Sequence, residues 1–134
     1  THAWQVEEIA ECDLIVDATG DVPTALFLGA VAAGNGRPFV SVEVFEGGIG
    51  ALVASCVPGR DPTYSKARAA FMGWCNEQGV AAPEGTGRPY ESLSGEGTPL
   101  VADDAAVTMA AAHATRVVLE IVDGCPAPRE AAWM

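Results

Sequence analysis

With 134 residues the chain is the size of one domain, able to bury roughly 68% of the surface its unfolded form would expose. Hydrophobic residues make up 49% and charged residues 19%, proportions that fit a globular chain and exclude a disordered one. Acidic residues outnumber basic ones 18 to 7, and the resulting charge of −11 repels a nucleic-acid backbone and an anionic membrane surface alike.

Trp4, Val6, Ile9 and Ala10 recur at roughly helical spacing, which predicts a short amphipathic helix at the start. It feeds Leu14-Ile15-Val16, a compact apolar run of the kind that forms a strand covered on both faces. The strand ends in Asp17-Ala18-Thr19-Gly20-Asp21, which places carboxylates and small residues where open α/β sheets bind ligands. Asp21 is a candidate N-cap and Pro23 suits a first helical turn, so a helix over residues 25–33 is predicted, ended by Gly34-Asn35-Gly36. That helix is apolar nearly all round.

Residues 39–45 are valine-rich and read as a second strand. Gly47-Gly48 makes a turn, and residues 49–57 form a third strand, antiparallel to the second because so short a connection allows nothing else. Pro58-Gly59-Arg60-Asp61-Pro62 breaks it. A helix over 62–78 follows, with Ala67, Ala70, Phe71 and Trp74 on its inner face. Residues 79–99 are rich in glycine and proline and are expected to form a long polar loop. Residues 100–123 then form a long alanine-rich helix. Only eleven uncharged residues separate Asp104 from Arg116, too few to span a bilayer, so a core helix is predicted. Gly124 ends it, and residues 124–134 are expected to be a flexible tail. The fold expected is α/β: a partial Rossmann-like sheet of three to four strands, one parallel step plus an antiparallel pair, packed by helices as a single domain.

Four cysteines, Cys12, Cys56, Cys75 and Cys125, contain no C-x-x-C pair, and His2 and His113 are the only histidines. Zinc is therefore not expected, and reduced thiols packed as small hydrophobes in a cytoplasmic protein are. No secretory leader is visible. The chain opens on Thr1 rather than Met, as a processed product or an excised fragment would.

The strand ending Asp-Ala-Thr-Gly-Asp, the following helix, the strand Pro38-Phe-Val-Ser-Val-Glu-Val44 and the turn Phe45-Glu-Gly-Gly-Ile-Gly50 together resemble the ThiF/MoeB/HesA superfamily, adenylyltransferases that activate ubiquitin-like and sulfur-carrier proteins. The resemblance spans about residues 11–123, with the motif-like detail in its first fifty positions. It implies ATP and magnesium as cofactors and an acyl adenylate formed on a carrier protein's C-terminal glycine. It also implies a homo-oligomer. Asp17 and Thr19 match the start of the family's strand-end motif. Gly20 falls where the family places its magnesium-binding aspartate, and Asp21 falls on the asparagine that follows, so Asp21 is the residue left to take the metal. The nucleotide-contacting set implied is thus Asp17, Thr19, Gly20 and Asp21. The family's glycine-rich loop, ribose-binding acid, triphosphate-holding basic residues and zinc-binding cysteine pairs have no counterpart here. The chain therefore looks like the C-terminal half of such a domain, a fragment or degenerate form inactive by itself.

No catalytic residue is assigned. Cys56 and Cys75 lie nearest the family's crossover segment, but no histidine or lysine stands close in sequence to activate either. Arg68 is the nearest base to Cys75 and is expected on the opposite side of the helix. Each polar candidate also has a purely structural use. Asp17 can accept backbone bonds in its turn, Asp21 can cap a helix, and Arg60-Asp61 can be a solvated loop. Asp103 and Asp104 suit a helix dipole, and His113 a packed, hydrogen-bonded side chain. Two other functions fit the same pattern: a non-catalytic dimerisation or docking module of this fold, and part of a nicotinamide-dependent oxidoreductase.

Overall fold

A computed structural model describes residues 3–45, 50–79, 104–124 and 132–133. The elements are α1 (Ala3–Glu11), β1 (Ile15–Asp17), α2 (Val22–Gly34), β2 (Phe39–Val44), β3 (Ala51–Cys56), α3 (Tyr64–Glu77), α4 (Asp104–Val122) and β4 (Ala132–Trp133). They make one mixed sheet in the order β1-β2-β3-β4. β1 and β2 run parallel, with Asp17 beside Ser41, and α2 is the crossover between them. β2 and β3 are antiparallel from Phe39 opposite Cys56 to Val44 opposite Ala51, and the Phe45 N–H bonds Gly50 O to extend the ladder. The α/β class, the parallel step and the antiparallel pair are those the sequence predicts.

Alternation along β2 sorts the core into two layers. Phe39 and Phe45 face α2 and α3, in a cluster with Ile15, Leu52, Tyr64 and Phe71. Val40 and Val42 face α4, joined there by Val53, Ala114 and Val117. Two-sided cover explains why β2 and β3 read as nearly continuous apolar runs. α4 is long and apolar enough by composition to cross a membrane, yet it lies over β2 and β3 through Ala110, Ala114 and Val117. β4, two residues pairing Trp133 with Leu52 and Ala132 with Val53, stands where the sequence predicts only a flexible tail. Two residues of edge pairing carry no periodic signal. The loop expected over 79–99 lies outside the described residues beyond Gly79.

α2 starts at the Asp21 cap that the sequence offers, three residues ahead of the 25–33 helix predicted. Asp21 caps it through the Thr24 N–H, and proline occupies its first turn. Its apolar circumference is only partly used: Ala25, Gly29 and Ala32 are buried, whereas Leu26 and Phe27 stay about two-fifths exposed. Gly29 is required by close approach. A Cβ there would sit 2.9 Å from Tyr64 Cβ and 3.3 Å from the Phe39 ring. Gly73, inside α3, meets nothing within 4 Å. The two glycines should therefore respond oppositely to alanine. Gly73→Ala is expected to stabilise by about 0.8–1 kcal/mol through helix propensity. Gly29→Ala is expected to lose stability, because overpacking of about 1–3 kcal/mol outweighs the same gain. Urea midpoints of the two variants, read side by side, check this; shifts of the same sign would contradict the packing described.

Candidate functional site

Among the described residues, the polar or charged residues buried as a whole are Asp17, Ser41, Glu43 and Arg68. All four lie on the α2/α3 side of the sheet, Asp17 and Ser41 as neighbours across the parallel pair. The polar strip therefore begins at the carboxyl end of β1, as the sequence predicts, and continues along β2 into α3.

The turn after β1 gathers the four predicted residues. Asp17 is 2% exposed, and its Oδ1 accepts from the Thr19 N–H at 3.3 Å and the Thr19 hydroxyl at 2.8 Å. Gly20 has φ +68°, a left-handed backbone that side chains rarely adopt. The Asp21 N–H then donates to Thr19 Oγ1 at 3.2 Å. Asp21 Oδ2 accepts from the Thr24 N–H at 2.9 Å and the Thr24 hydroxyl at 2.6 Å. Those bonds, the hydroxyl's first and the backbone's second, hold the Asp21 carboxyl below its usual range, so it is ionised at neutral pH. Both aspartates thus perform the local tasks open to them, Asp17 inside its turn and Asp21 as a cap.

Asp21 retains what a magnesium ion needs from a single protein carboxylate. It is charged and half-buried, and the capping bonds both fall on Oδ2, leaving Oδ1 outside the cap. Magnesium commonly takes one or two carboxylates and completes its shell with phosphate and water. Among the described residues no group of three or more His, Cys, Asp or Glu could hold a metal by itself.

Sequence reasoning did not single out the pair behind this turn. Arg68 donates to both Glu43 oxygens, through NH1 to Oε2 and through NH2 to Oε1 at 3.4 Å, and NH1 lies 3.5 Å from the Tyr64 hydroxyl. Burial pulls the Arg68 pKa down, but the Glu43 carboxylate outweighs it and the net shift is upward. The signal was present: Glu43 occupies an inward position of β2, two residues from Ser41 and Phe45, and an inward carboxylate demands a cation. Arg68 does not lie opposite Cys75. Both are on the buried face of α3, because seven residues make two helical turns.

The Arg60-Asp61 turn is not a solvated loop either. The Asp61 side chain is 1% exposed. It takes two bonds from Arg60, at 3.1 and 2.9 Å, and one from the Val57 N–H at 3.0 Å. Behind it, burial and then the Asp61 charge push the Cys56 thiol up to about 12. A thiol held there is almost wholly protonated at neutral pH and cannot serve as a nucleophile. Cys12, by contrast, is exposed. Iodoacetamide at pH 7.5 should modify Cys12 within minutes and leave Cys56 and Cys75 intact in the folded protein, as peptide mapping by mass spectrometry will read; rapid alkylation of Cys56 would refute its placement. His113, expected to be packed and hydrogen-bonded, is half-buried, with Nε2 enclosed and no hydrogen-bond partner among the described residues.

A cleft of about 250 Å³ opens at the other end of the sheet, where Arg37, Phe39, Cys56, Asp61, Thr63 and Tyr64 meet. The strand-end turn of Asp17 to Asp21 does not line it.

β1 is the edge strand beside that turn. The Ile15 N–H bonds Pro38 O at 3.0 Å on the β2 side, so the N–H and C=O of Val16 point the other way. No described residue bonds them. The Val16 side chain is 49% exposed, whereas Val40 and Val53 in the next strands are covered by α4. Comparison with protein-family models, curated proteins and solved structures gives no match for this chain.

Proposed function

We propose that the chain is the rear part of a ThiF-like adenylation domain, completed by a nucleotide-binding segment that aligns its strand along the outer edge of β1. The observation that carries this reading is the backbone edge of Val16, unpaired among the described residues, next to Asp17, Thr19 and Asp21. A buried parallel strand normally has a partner on each side and cover on both faces, and β1 lacks a described partner on one. In the completed protein, Asp21 would be the magnesium carboxylate, and Thr19 and Gly20 the backbone beside ATP. The chain's outer surface would receive a ubiquitin-like or sulfur-carrier protein. The ATP and magnesium supply the leaving group and charge neutralisation for acyl-adenylate formation. The chain itself contributes an ionised carboxylate and a rigid turn. The three described cysteines are free thiols, in keeping with a cytoplasmic setting.

Calorimetric titration of the isolated chain with ATP and magnesium tests this, because positioning of the triphosphate falls to groups the chain does not have. No binding tighter than millimolar is expected. Hydrogen exchange should find the Val16 amide fast and the Ile15 amide, held by Pro38, protected. Micromolar ATP binding, or a protected Val16 amide, would overturn the reading.

One observation favours a second reading, a non-catalytic homo-oligomeric docking module. Asp17 and Asp21 are both occupied in local structure, as they would be in a fold kept for its surface alone. A strict monomer in sedimentation velocity would remove it.

A further inference from the structure

We draw no further inference here: the strongest candidate, the cleft of about 250 Å³ between the end of α2 and the start of α3, is lined by polar side chains already bonded within the protein, Arg37 to Ala10 O, Asp61 to Arg60 and Thr63 to Ser65, and nothing in the structure points to what would occupy it.

Discussion

Replacing Glu43 with leucine is expected to destabilise the protein by about 3–5 kcal/mol, the range for breaking a buried ion pair and stranding its partner. Arg68 is 9% exposed and held by Glu43 and Tyr64, so a guanidinium left behind would have one neutral neighbour and no counter-charge. Arg68→Met should cost a similar amount, for then the carboxylate is the orphan. The double variant Glu43→Leu with Arg68→Met is the informative one. It removes both charges and refills the space with apolar groups, so its stability should return to within about 1–2 kcal/mol of the parent. Urea unfolding of the four proteins measures the coupling directly. Additive single losses in the double variant would mean that the two side chains are not partners.

Phe39→Ala is the second large effect, about 3–5 kcal/mol for an aromatic ring lost from a packed core. Phe39 is 1% exposed. Its ring meets Tyr64 edge-on, with centroids 5.4 Å apart and planes at 80°, and it also packs against the glycine surface at Gly29. One residue thus ties β2 to α2 and α3 together. A drop in melting temperature under 3 °C would mean that the ring is not central, given that about 1 kcal/mol moves a domain of this size by a few degrees.

The elements of the fold were legible because their signals are local. Valine-rich runs mark β2 and β3, the shortness of the connection between them marks their antiparallel pairing, and Asp21 with Pro23 marks the start of α2; the turn expected at Gly47-Gly48 lies outside the described residues. The strand-end turn was legible for the same reason: Asp17, Thr19 and Asp21 bond in succession two positions apart, with Gly20 between them, and Asp21 reaches Thr24 three positions on. Glu43 and Arg68 were not, since they meet across twenty-five positions and neither residue alone reveals its partner. The buried Asp61 was misread for a related reason. Its flanking prolines and glycine suggest solvent, yet its carboxylate closes the turn from within by taking Arg60 and Val57. β4 carries too little chain to leave a pattern. The Asp21 cap was legible, but a metal-binding role has no signal of its own, because capping and metal binding select the same residue type.

The outer flank of β1, which no described residue pairs, also bears on how the protein behaves in a test tube. A strand margin that no described residue covers invites another molecule to zip onto it, and Ile-Val-Asp carries neither lysine nor proline, so its shortness and the inward Asp17 are its local protection. Mutual repulsion between copies bearing −11 is a further safeguard. Salt near physiological strength shortens its reach to about 8 Å. Colloidal stability is therefore tied to ionic strength, and dilute buffer, not saline, is the medium that keeps such copies apart.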